Sequence, residues 1–330
     1  MGNEGIGPDG FRRQTTAETL TLPGKRPRPL KPFDHFLVID WSSRSKPSPK
    51  KPTKDAIWVA DATASGRVKT KYFRTRRACV DWLAERLRGL HARKKRVLVG
   101  WDFAFGYPAG LAAALKCPKK KGWKFIWKLL AKLVKDKTNN KNNRFAVGGD
   151  LNRRITGGPG PFWGAPAGQS GIFLGAKRDF TYPVVTKRAT LAERRLVERR
   201  LRSTQPAWKL AYAGSVGGQS LVGIPHLYRL TRPGAAWREA SLVWPFTTRF
   251  DRRLPAEGPV IVHAEIYPSM VERPGKDKIV DREQVKYYLG WLQQQQRSGK
   301  LAGHLAGPEN LKKGQRKKAI HHEGWILGVG

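Results

Sequence analysis

Acidic residues are scarce in this chain: 25 Asp and Glu stand against 64 Lys and Arg in 330 residues. Cysteine is scarcer still. Cys79 and Cys117 are too few for a disulfide framework or a cysteine-ligated metal cluster, and a reducing, cytoplasmic compartment is the default expectation. No apolar run approaches the about 20 residues needed to cross a bilayer. The N-terminus lacks the charged-then-apolar layout of a secretory signal. An integral helical membrane protein and a disulfide-stapled scaffold are thereby set aside.

What is abundant is positive charge and tryptophan. The 12 Trp and 39% hydrophobic content supply core for one large domain or two ordinary ones. The formal net charge of +39 repels itself in a compact state unless a polyanion is near. Nucleic acid is the first partner this implies, with binding steeply dependent on salt. An anionic membrane surface lacks an obvious anchor. A generally basic proteome, or charge kept for solubility, is the blander alternative and ranks second.

Residues 1–31 are dominated by Gly, Pro, Arg and Thr and read as a disordered basic tail. Residues 32–330 read as one domain. Strands are expected over 35–41, 56–60, 68–73 and 96–101, with a helix over 76–91 spaced by Val80, Leu83, Leu87 and Leu90. The order β-β-β-α-β requires a mixed sheet with helix on at least one face. Ser45 to Lys54 reads as an exposed basic loop, and Asn139 to Arg144 as a second loop. An amphipathic helix is expected over 124–135 and a short surface helix over 191–201. Another is expected over 281–296, with Asp281 as its N-cap. The segment between about 111 and 255 is an insertion of helices and loops.

Against the shortage of acids, three positions stand out. Asp40 ends the apolar run Phe36 to Ile39, Asp102 ends Arg96 to Trp101, and Glu265 ends Val260 to Ala264. If those strands are neighbours, the acids converge, and carboxylates at adjoining strand ends are how hard divalent cations are held. Mg²⁺ or Mn²⁺ suits such a set, because substrate phosphates complete its shell. Acids also follow buried strands merely because loops are polar, and one alone would mean little. Trp41 and Trp101 beside the acids suit either stacking on a base or a place in the core. Asp150, Asn152, Arg153 and Arg154, with Arg144 nearby, suit either phosphate contact or an ordinary salt-bridged surface. Ala213 to Gln219 is Gly-rich but matches no phosphate-loop fingerprint, and reads as a tight turn near the site. His321-His322-Glu323 is a poor zinc set, because adjacent side chains rarely face one ion. Ser215 has no assigned His and Asp partners for acyl transfer.

Taken together, several pieces resemble a bacterial family of unknown function with a predicted RNase H-like nuclease fold. They are Val38 to Ser42, Val99 to Gly110, Asn142 to Phe145 with Asp150 to Arg154, and Pro161 to Gly164. Trp208 to Leu210 with Ala213 to Gln219, Ala264 to Ser269, and Glu323 to Val329 complete the set. The resemblance implies an α/β RNase H-like mixed sheet flanked by helices, with Asp40, Asp102 and Glu265 as metal ligands, in a bacterial cytoplasm. It also implies a last acid on the C-terminal helix, for which Asp281 or Glu323 must stand in, and a Glu where this chain has Asp150. The expectation is a metal-dependent nuclease cutting phosphodiester bonds. Asp150, Asp281 and Glu323 are auxiliary acids, and Arg144, Arg153, Arg154 and Lys209 hold the nucleic acid. The alternative is a non-catalytic RNA- or DNA-binding platform in a ribonucleoprotein. A third reading, an enzyme of small phosphorylated metabolites, leaves the charge unexplained.

Overall fold

The computed structural model describes residues 30–117, 122–273 and 278–330; the expected basic tail lies outside them up to residue 29. Strands β1 (His35–Asp40), β2 (Ile57–Thr63) and β3 (Lys69–Phe73) form an antiparallel meander. Helix α1 (Arg76–Ala92) follows, its start capped by Thr75 Oγ1 accepting from Ala78 N. It returns the chain to β4 (Arg96–Asp102), parallel to β1. The β-β-β-α-β order read from hydrophobic spacing is therefore found.

Between β4 and the next central strand lie α2 (Leu111–Ala114), α3 (Gly122–Leu133) and α4 (Arg144–Ile155). A small hairpin of β5 (Val184–Val185) and β6 (Thr190–Leu191) follows, then α5 (Leu196–Arg200), α6 (Val216–Thr231) and α7 (Ala236–Glu239). Strand β7 (Ser241–Trp244) joins the main sheet, β8 (Val260–Glu265) lies beside β4, and α8 (Val280–Arg297), α9 (Leu301–Ala306) and α10 (Lys313–Lys318) end the chain. The six-stranded sheet has the order β3-β2-β1-β4-β8-β7, antiparallel at the β3-β2-β1 edge and parallel elsewhere.

Both faces of the sheet are covered, which is why β1 and β8 are continuous apolar runs rather than alternating ones. Leu37, Ile39, Val97, Val99, Trp101 and Ile261 face α1 and the helices inserted after β4. Phe36, Val38, Leu98, Val260 and Val262 face the other way, against Val285, Tyr288, Leu289 and Leu292 of α8. Those four positions recur at helical spacing and make one apolar stripe.

Two local expectations change, and one element was not assigned from the sequence. Residues 144–155, inside the segment read as helices and loops, form a helix. The surface helix expected over 191–201 is only α5, and it is anchored inward, with Val197 and Glu198 fully buried. Asp281 is not the N-cap of α8; Ile279 is, and Asp281 sits in the first turn. The turn after β4 depends on Gly106, where a Cβ would fall 2.2 Å from the carbonyl oxygen of His322. Gly106→Ala should thus force backbone apart at a packed junction and destabilise the fold by about 1–3 kcal/mol, read as a lowered urea midpoint.

Candidate active site

Strand pairing decides which acids meet. In the parallel pair β1·β4, Asp40 lies opposite Asp102, whereas in β4·β8 Glu265 lies opposite Trp101. Successive side chains on a strand point to opposite faces. Asp40 and Asp102 therefore rise side by side on the α8 face, and Glu265 turns to the other. Asp281, at the start of α8, joins the first two along one cavity of about 790 Å³ at the C-terminal ends of the central strands. Glu265 reaches the same cavity from the opposite side of the sheet.

Among the described residues, neither Asp40 nor Asp102 accepts a hydrogen bond through its carboxylate or pairs with a cation. Burial, reinforced by the charge of Asp102, raises the pKa of Asp40 well above the carboxylate range. Burial, with Glu265 and Asp281 nearby, raises Asp102 to about 8. Asp281 is raised as well, chiefly by burial, although the Asp55 N–H donates to its Oδ2 at 2.5 Å. Like charges held in a half-dry recess favour any cation that can enter it.

Glu265 is not free to serve with them. Arg195 forks onto it, Nη2 to Oε1 at 2.6 Å and Nη1 to Oε2 at 2.8 Å, and Phe105 N donates to Oε2 at 2.9 Å. The same guanidinium donates through Nε to Glu198 at 2.6 Å. Burial alone would lower the pKa of Arg195, but the two glutamates hold it above its ordinary value. The expected ligand trio is thus not assembled. Among the described residues no three His, Cys, Asp or Glu side chains form a ready metal-holding group. What remains is a pair, Asp40 and Asp102, with Asp281 beside it. That still fits Mg²⁺ or Mn²⁺, since such ions accept one or two protein carboxylates and fill the shell with water and phosphate.

Of the two stand-ins for a late acid, Asp281 lines the cavity. Glu323 instead ties loops together, accepting from Ala109 N at 3.0 Å and Leu196 N at 2.6 Å. Asp150, Arg153 and Arg154 lie on α4 away from the cavity and neutralise one another, at 2.8 and 2.6 Å. Lys209 also lies off the cavity, its Nζ donating to Ala213 O and Gln205 Oε1. Of the four expected nucleic-acid contacts only Arg144 lines it. Trp41 and Trp101 are core residues, 1% and 0% exposed, packed edge-on at 5.8 Å. The Gly-rich segment is a helix start rather than a tight turn. Gly217 and Gly218 let α6 press on the carbonyls of Ala207 and Leu210, where a Cβ would approach to 2.3 and 2.5 Å.

Sequence reading missed the residues that hold the site in shape. Arg76 forks onto Asp136 at 2.7 Å through both nitrogens, and its Nη1 donates to Ser42 O and Arg44 O, fastening the loop that follows Asp40. His226 meets Asp136 at 2.9 Å and lies against the Trp41 ring. Although burial opposes it, hydrogen bonds from Arg76 and His226 bring Asp136 down to about 2. Arg195 carried one local sign, a Glu three residues on; its partner 70 residues away carried none.

Comparison of the chain with known protein families, with curated proteins and with solved structures finds no match. Among the described residues no helix is long and apolar enough to cross a membrane.

Two outcomes test this geometry. Arg195→Met strands two buried glutamates and should cost about 3–5 kcal/mol in urea unfolding. For Asp102 the folded pKa lies above the unfolded one. The stability it lends is complete below the ordinary carboxylate pKa and lost as pH rises through about 8. In EDTA, Asp102→Asn should therefore match wild type near the bottom of that window. At its top the variant should be more stable by on the order of 2–4 kcal/mol, allowing for partial exposure.

Proposed function

We propose that this chain is a metal-dependent nuclease of RNase H-like architecture. The observation that carries the reading is the Asp40–Asp102 pair. Two acids stand in register on adjacent central strands, without a cationic partner among the described residues, in a chain bearing +39. The order β3-β2-β1-β4-β8, with β2 alone reversed inside it and an acid-bearing helix on the face of the paired acids, supports the architecture. So does the family resemblance of the motifs around Asp40, Asp102 and Glu265.

In this reading Asp40 and Asp102 are the ligands, with Asp281 near enough to raise their proton affinity and to orient bound water. A bound divalent ion supplies Lewis-acid polarisation of the phosphate and a water of lowered pKa. Glu265 departs from the ligand role that the resemblance implies and acts with Arg195 as a buried brace between β8, α5 and the loop at Phe105. Arg144 supplies a cation on the cavity wall. The general surplus of Lys and Arg raises local substrate concentration.

Single- and double-stranded DNA and RNA, incubated with Mg²⁺, Mn²⁺ or EDTA, test the reading. Cleavage should require metal, vanish in Asp40→Asn and Asp102→Asn, and persist in Asp150→Asn. Independently of turnover, Mg²⁺ should raise the melting temperature of wild type and not of Asp40→Asn. Tight, salt-sensitive binding without cleavage in any metal would make the protein a platform for nucleic acid instead.

A further inference from the structure

The cavity that holds the acids has a second wall of opposite character. Helix α6, 16 residues long, starts on it at Ser215, whose side chain makes no capping hydrogen bond. The backbone N–H groups of Ser215 and Gly217 find no acceptor among the described residues. A helix start of this kind concentrates positive potential. Arg144 lines the same cavity from the start of α4. It is 9% exposed, and no carboxylate pairs with it among the described residues. Nη1 donates to Ser45 Oγ and Asn142 Oδ1, Nη2 makes no hydrogen bond there, and Nε is buried without an acceptor. Its guanidinium carbon lies over the Phe145 ring, 4.1 Å from the centroid, which fixes its plane. Burial and repulsion from Arg76 lower its pKa to about 10, which leaves it charged at neutral pH. A buried guanidinium with spare donors and no counter-ion is half of an anion site.

Beside this wall stands Tyr212, 66% exposed and held at a positive φ of 72°. A bulky residue adopts that conformation only under constraint. Its hydroxyl is tied to Ala165 O at 2.9 Å, so the ring is displayed at the cavity rather than loose in solvent. Lys209 pins the adjoining Ala213 carbonyl and Gly218 N bonds to Lys209 O, which sets Tyr212 and the start of α6 as one unit.

We infer that the start of α6 and Arg144 form a metal-independent phosphate subsite, and that Tyr212 stacks on the base attached to that phosphate. The substrate class this selects is single-stranded nucleic acid, because a base must leave its duplex partner to lie on an isolated ring. The inference deepens the nuclease reading and rests on it for substrate class. The subsite itself is measured without metal, so it stands or falls apart from cleavage.

The test is calorimetric titration of the full chain in EDTA at about 0.5 M salt, where exposed charges are screened, with inorganic phosphate and then a nucleoside 5′-monophosphate. Wild type should bind both, the nucleotide more tightly. Arg144→Gln should weaken both by about tenfold or more. Ser215→Asp should do the same while leaving the melting temperature at or above that of wild type, since Asp is a good N-cap. Tyr212→Ala should keep phosphate binding and lose the nucleotide's advantage. No phosphate binding by wild type, or unchanged binding in folded Arg144→Gln and Ser215→Asp, overturns the subsite. An undiminished nucleotide advantage in Tyr212→Ala overturns the stacking role.

Discussion

Two carboxylates forced into register on neighbouring parallel strands are the constraint around which the rest of this molecule is arranged. At the separations of adjacent strands, unit charges of one sign repel by about 1–4 kcal/mol near a protein surface. A chain with 64 basic residues had ample means to neutralise them. Instead, among the described residues, Asp61, Asp136, Asp150, Glu198 and Glu265 receive arginine partners, and Asp40 and Asp102 do not. Of the acids at the cavity, Glu265 is paired with Arg195, whereas Asp40 and Asp102 have no cationic partner among the described residues. That distribution favours an external cation as the counter-charge.

The segment between β4 and β8 accounts for how this is kept so. It brings Arg195 to Glu265 and Glu198, converting what could have been a third free acid into a buried cross-brace. It also brings Asp136 under Arg76, which clasps the backbone of Ser42 and Arg44. Both networks are fully engaged, and a buried ionic group so satisfied fixes geometry more than it adds net stability. The acid floor is therefore shaped from both sides by charges that are already satisfied. The opposite wall, with Arg144 and the α6 start, has donors to spare. A recess with a carboxyl floor that a cation would ionise and a positive wall is suited to a metal and a phosphate together rather than to either alone.

Much of the sheet was legible in the residues. Strands buried on both faces are mostly apolar, and β1, β4 and β8 are so apart from their ends and the buried His263 of β8. Helix α1 showed its spacing plainly because, after Arg76 at its start, its buried face is made of Cys79, Leu83, Leu87 and Leu90. Helix α4 was not legible. Val147, Leu151 and Ile155 do recur at helical spacing, but Gly148, Asn152 and Arg144 share the buried face and blur the period among the charged residues. Asn152 earns its burial by accepting from Phe162 N and donating to the carbonyls of Pro159, Phe162 and Phe173, partners no local pattern announces. Packing put Trp41 and Trp101 in the core, and among the described residues Tyr212 is a ring exposed at the cavity.

By itself, the order of residues determined the charge of the chain, the order of its first five elements and the placement of Asp40, Asp102 and Glu265 at strand ends. Each of these follows from composition or from short-range period. Only the tertiary structure decided which acids stand side by side. A strand shifted by one residue turns every side chain to the other face, and the pairing of β8 to β4 is set by contacts 164 residues apart. That single register, Glu265 opposite Trp101 rather than Asp102, sent one acid to Arg195 and left the other two facing the cavity with Asp281.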